Sequence, residues 1–245
     1  MGQALQIVPL KFGELVNIDH AIFTLNRNQG VKMRAPVIAW LILGAGHPIL
    51  VDTGPCNPEM SARYHIALEQ PKSPATVLRE AGVDPSEIRT VVLTHLHWDH
   101  CWNLELFPNA EFVIQERELH YAVNPLPCHR AIYDLHLPHP PPWATVLHRM
   151  RVLRGDYALA PGVQVYHLPG HSPGMQGVCV DTAEGRQLIA GDNVALFWNW
   201  EHRHPSGHFV DLDEYYRTLD RMATIADRIL PGHDPAVFQT LTGVE

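Results

Sequence analysis

Thr94-His95-Leu96-His97-Trp98-Asp99-His100 follows directly on an apolar, β-type run, Arg89-Thr90-Val91-Val92-Leu93. Three imidazoles and a carboxylate within six residues offer the nitrogen and oxygen donors that borderline divalent metals such as zinc take. Alternate side chains of an extended segment share a face, so His95 and His97 fall to one side. A turn into the next helix carries Asp99 and His100 round to a second centre. One loop can therefore serve two metals. The chain has 17 His, and most need a different account. His65, His120, His129, His136, His139 and His148 stand in polar or proline-broken surroundings without partner spacing, and read as surface or loop residues.

Three later segments share one form, a short apolar run ending in a glycine turn with a His or Asp at its edge. The first is Val163-Gln164-Val165-Tyr166-His167-Leu168-Pro169-Gly170-His171-Ser172-Pro173-Gly174. The second is Gln187-Leu188-Ile189-Ala190-Gly191-Asp192-Asn193, and the third Arg228-Ile229-Leu230-Pro231-Gly232-His233-Asp234. They read as strand-to-loop junctions facing one site, which is where a rigid scaffold presents its chemical groups.

Ile49-Leu50-Val51-Asp52-Thr53-Gly54 precedes these motifs, and Gly155-Asp156-Tyr157 and Pro161-Gly162-Val163-Gln164-Val165 lie between them. In this order the set resembles the metallo-β-lactamase superfamily, and within it the N-acyl homoserine lactonase branch, over nearly the whole chain. The resemblance implies an α/β fold, an αβ/βα four-layer sandwich of two mixed sheets flanked by helices, as one domain over 1–245. It places one metal on His95, His97 and His171 and the other on Asp99, His100 and His233, with Asp192 bridging. Two divalent ions are implied, zinc first, with iron, manganese or cobalt compatible. The implied reaction opens a lactone by attack of a metal-bridging hydroxide, with Asp99 as ligand and proton carrier. A carboxylate at position 192, where several antibiotic-degrading relatives carry a Cys ligand, argues against a β-lactamase.

Three positions depart from that pattern. Ala195 stands three residues after Asp192, where the lactonases carry a Tyr thought to hold the substrate carbonyl. Trp98 replaces a frequent Phe, and Cys101 a small residue. Asn193, Trp198, His202, His204 and His208 lie in the same loop region and carry N–H groups to take over from the phenol, His202 and His204 pointing the same way if that loop is extended. Phe23, Met33, Trp98 and Trp198 flank the ligand segments and suggest an apolar pocket for an acyl tail. Two other readings use the same residues: a metallo-hydrolase of another ester, cyclic amide, thioester or phosphotriester, and, more remotely, a non-enzymatic metal-binding protein.

The net charge is −8, with no basic run. A polyanion needs a cationic surface, so nucleic acid is not expected as a partner; a small molecule is, and a homodimer is compatible. Four Cys without C-x-x-C spacing read as reduced thiols in a cytoplasmic protein, and the N-terminal 20 residues lack the apolar stretch of a signal peptide or membrane span. Cys101 reads as packing. Strands are expected at 37–43, 48–52, 90–93, 111–115, 162–168, 177–180 and 187–190. Helices are expected at 74–81, 117–123 and 213–228, the last with an apolar stripe of Tyr216, Leu219, Met222, Ala223 and Ala226. The proline-rich stretch 124–145 is expected to be an ordered lid or a dimer-contact loop.

Overall fold

The computed structural model describes residues 4–70, 72–135 and 138–242, which leaves His136 outside. The first sheet contains β1 (Gln6–Asp19), β2 (Lys32–Leu43), β3 (Ile49–Val51), β4 (Ala67–Glu69), β5 (Thr90–Val92), β6 (Glu111–Gln115) and β7 (Met150–Leu153). The second contains β8 (Tyr157–Ala160), β9 (Val163–His167), β10 (Gln176–Thr182), β11 (Gly185–Ile189) and β12 (Arg228–Leu230). Spatial order is β4-β1-β2-β3-β5-β6-β7 in one and β12-β11-β10-β9-β8 in the other. Pairing is parallel from β3 through β7 and between β11 and β12, and antiparallel elsewhere, so both sheets are mixed.

Side-chain parity explains the layering. On β2, Ile38, Trp40 and Ile42 face one way and join Val163, Val165, Val178, Val180 and Ile189 in a core between the sheets. Their neighbours Ala39 and Leu41 face the other way, into a core shared with Leu78 and Ala122 of the helices Pro74–Glu80 and Glu116–Val123. Cys179 and Leu188 of the second sheet meet Tyr215, Leu219 and Met222 of the helix Leu212–Ile225. Strands covered on both faces read as unbroken apolar runs, which is why β2 is buried without alternation from Ala35 to Leu41. The result is the expected helix–sheet–sheet–helix sandwich.

All seven expected strands and all three helices fall on observed elements, with two corrections to the last helix. It ends at Ile225 because Ala226 is extended and Arg228–Leu230 leaves to pair with β11. Its buried stripe is Tyr215, Thr218, Leu219 and Met222; Tyr216 is exposed and Ala223 likewise. Among its described residues the segment 124–145 holds only short helical turns, yet it buries Tyr133, Asp134 and Trp143 and hydrogen-bonds Trp98 N to Ile132 O at 3.1 Å. Cys101 is fully buried in the first core, and the four cysteines are free thiols. Among the described residues no helix is long and apolar enough to cross a membrane.

Candidate metal centre

Each group of the constellation leaves the carboxyl end of a strand: Asp52 after β3, His95 to His100 after β5, His171 after β9, Asp192 after β11 and His233 after β12. β9 runs parallel in space to β11 and β12, so these ends share one edge of the sandwich. Three ring nitrogens converge first: His97 Nδ1 lies 2.9 Å from His95 Nε2 and 3.1 Å from His171 Nε2. A second group stands beside it, with His100 Nε2 at 3.2 Å and His233 Nε2 at 3.1 Å from Asp192 Oδ1, and Asp99 Oδ2 at 3.7 and 3.8 Å from the same two nitrogens. Asp192 Oδ2 faces the other way, 3.5 Å from His171 Nε2. One carboxylate thus gives one oxygen to each group.

The far side of each ring fixes its tautomer. His100 Nδ1 donates to Asp52 Oδ2 at 2.8 Å, His171 Nδ1 to His208 O at 2.8 Å, and His233 Nδ1 to Pro36 O at 2.9 Å. Thr94 Oγ1 donates to Asp52 Oδ2 (2.8 Å), and so accepts from His95 Nδ1 (3.0 Å). With those protons committed outward, four Nε2 lone pairs point inward. Buried acceptors facing one another repel unless a cation lies among them, and His100 Nε2 and Asp192 Oδ1 are buried without a hydrogen-bond partner among the described residues. The donor set therefore fits divalent metal, with candidate ligand atoms lying within 4.8 Å of one another in three groups: His95, His97 and His171; His95, His100 and Asp192; Asp99, His100 and His233. Burial holds His95 and His97 well below the ordinary imidazole range and His171 down to about 4, so all three are neutral. Burial alone would raise the Asp192 carboxyl, but positive charge on the His233 and His100 side outweighs it and holds it well below the usual carboxylate range, a charge that a bound cation would supply without protonating either ring.

The same strand–loop pattern extends through the chain, and residues 34–233 match the metallo-beta-lactamase superfamily. The chain belongs to that family. An N-acyl homoserine lactonase of Bacillus thuringiensis is 26% identical over 237 residues, covering 89% of this chain and 88% of its own. The crystal structure of a quorum-quenching N-acyl homoserine lactone lactonase superposes with a TM-score of 0.78 at 24% identity, over 98% of this chain and 97% of the other. An N-acyl homoserine lactone hydrolase with N-hexanoyl-L-homoserine bound at its catalytic metal centre gives a TM-score of 0.77 at 23% identity, over 98% and 96%.

Around the constellation this superfamily member builds supports that its motifs do not announce. Asp52, in the left-handed region at φ 65°, accepts from Thr94 N at 2.7 Å as well as from Thr94 Oγ1 and His100. Such a backbone costs of order 1 kcal/mol or more and persists where its surroundings over-determine it. Glu118 is fully buried, and its carboxylate accepts from Leu96 N, Tyr133 OH, Ser172 Oγ and Gly174 N. It ties the first ligand loop to the one bearing His171. Gly232 is required by proximity, since a Cβ there would stand 2.8 Å from Asp192 Oδ1.

The centre opens into a cleft whose wall is apolar, with Leu15, Ile18, Ile22, Phe23, Ile66 and Ile132 around it. Phe23 and Trp98 are among its lining; the Phe23 ring lies 5.1 Å from that of His233, and Trp98 is stacked on Tyr64 at 4.7 Å. Met33 and Trp198 belong to the apolar cluster behind the wall, outside the lining. His202 lies exposed against Trp198, its Nδ1 donating to Trp198 O, and His204 Nε2 donates to Leu25 O at 2.7 Å. Neither faces the cleft. His208 does. The isoleucines escaped sequence reading because their strand and loops meet only in the folded chain.

Proposed function

We propose that this chain, as one hydrolase domain over 1–245, is a dinuclear metal lactonase acting on N-acyl homoserine lactones or related lactones. The observation that carries it is the split carboxylate of Asp192, one oxygen toward each histidine group, at the floor of an apolar cleft. His95, His97 and His171 would hold one divalent ion and Asp99, His100 and His233 the other, with Asp192 shared. Imidazole and carboxylate donors suit zinc first, and iron, manganese or cobalt as well. When bound, two such ions supply activated water and Lewis acidity. Asp99, half-buried at the cleft, is the group placed to carry a proton from water to the departing ring oxygen. The apolar wall takes the acyl tail, and the free thiols suit a reducing cytoplasm.

Metal analysis and a hydrolysis panel test this reading. Two metals per chain are expected after reconstitution, with kcat/KM rising with acyl length across homoserine lactones. A stoichiometry fixed at one, or equal kcat/KM at every length, counts against it. Ala195, whose methyl is buried and brings no hydroxyl to the site, favours a second reading in which another ester, thioester, cyclic amide or phosphotriester is cleaved; the same panel includes those substrates.

A further inference from the structure

Opening an ester builds negative charge on the carbonyl oxygen, and a fixed donor aimed at that oxygen is worth roughly 10²–10³ in rate. Such a donor must line the cleft, carry a polar hydrogen and have it uncommitted. Outside the seven metal-site residues, the cleft lining is apolar except for His208 and the indole of Trp98. Neighbouring loop groups are spent elsewhere. Asn193 Nδ2 donates to Leu168 O at 2.6 Å while its Oδ1 accepts from His171 N, and the Tyr215 hydroxyl serves Asp192 O and Asn193 O.

His208 is placed differently. Its carbonyl is pinned by His171 Nδ1 at 2.8 Å and Ser206 Oγ at 2.9 Å, so its main chain is locked beside the metal centre. The loop before it is clamped to the opposite wall by Leu25 N to Pro205 O (3.1 Å) and Gly207 N to Ile22 O (2.9 Å). Gly207 approaches that wall so closely that a Cβ would stand 2.2 Å from Ala21 O. The imidazole itself makes no hydrogen bond among the described residues, although it is largely enclosed and the charges of Asp192 and Asp99 act on it. In either protonation state the ring carries an N–H.

We propose that the His208 imidazole is a catalytic residue of this chain, donating a hydrogen bond to the substrate carbonyl in the cleft, an assignment that rests on the lactonase reading above. The experiment uses the two-metal protein with N-hexanoyl-L-homoserine lactone, and calorimetric binding of the ring-opened N-hexanoyl-L-homoserine. His208→Phe is expected to lower kcat/KM about a hundredfold, mainly in kcat, with metal content unchanged and product binding weakened. His208→Gln, which keeps a donor, should recover most of that loss. Activity within threefold of wild type in His208→Phe overturns the assignment. So does a loss shared equally by Phe and Gln variants with metal released, which marks a structural role, or one found in Trp98→Phe alone. A wild-type protein that loads two metals yet opens no lactone overturns the lactonase reading and this role together; lactone turnover that survives His208→Phe overturns only the role.

Discussion

Asp134 carries two costs at once. Its backbone is in the left-handed region at φ 64°, and its carboxylate is buried with one oxygen taking the Tyr64 hydroxyl and the other without a hydrogen-bond partner among the described residues. Burial foremost, with the charge of Asp99 adding to it and the Tyr64 bond opposing, raises its carboxyl to about 7. An acid raised on folding binds its proton more tightly in the native state, so stability falls as pH climbs from about 4 through about 7. Asp134→Asn removes the titration, keeps an acceptor for Tyr64 and tolerates the backbone. The variant should gain up to about 4 kcal/mol over wild type above pH 7, with the gap closing toward pH 4. Urea denaturation at pH 5 and pH 8 measures it, and identical pH slopes would reject it. None of this was legible in the sequence, since Asp134 sits in a proline-rich stretch where nothing marks a residue as buried. The seven-residue constellation was legible, because strand-end His and Asp spacings are local. His208 stood among several candidates until the fold spent the others.

Helix Glu116–Val123 works as a strut because of Glu118. Four donors from three segments converge on its carboxylate, and two of them, Leu96 and Ser172, are chain neighbours of His95, His97 and His171. Truncation leaves those donors buried and unpaired at about 1–3 kcal/mol each before relaxation. Glu118→Ala is expected to destabilise the fold by about 3 kcal/mol or more and to reduce metal content, read by thermal melting and metal analysis on one preparation. Full metal content in a destabilised variant would separate the strut from the centre. This helix was visible in the pattern, but its buried acid was not, since the partners lie 15 to 56 residues away. β1 was missed for a different reason. Pro9, Lys11 and Glu14 break the apolar run, and register shifts after Lys11 and Leu15 break its alternation, so a 14-residue strand reads as polar chain. The helix Leu212–Ile225 read too long because Ala226 continues the helical spacing of the apolar positions, and only pairing with β11 makes Arg228–Leu230 a strand.

Across the whole molecule, the second sheet contributes His171, Asp192 and His233 and the first contributes the loop from His95 to His100, so metal would fasten the two sheets to each other. Ligand held only by the native state stabilises it by about 4 kcal/mol at a thousand times its Kd. For a chain of this size that corresponds to roughly 8–16 °C in Tm. Chelation should lower Tm by that order and zinc should restore it; a melting curve indifferent to chelator would show that the sheets need no fastening. The chain order of these groups is also an order in time. Synthesis delivers the first loop long before Asp192, and His233 comes only after β12, which docks at the sheet's edge through β11. If these residues hold metal, a growing chain would carry exposed half-sites, and incomplete clusters would rank cations by the intrinsic affinity series, in which copper leads, because geometry could not yet select. Which metal such a protein ends up with then depends on how far its release from the ribosome outpaces its first encounter with the cell's loosely bound cations.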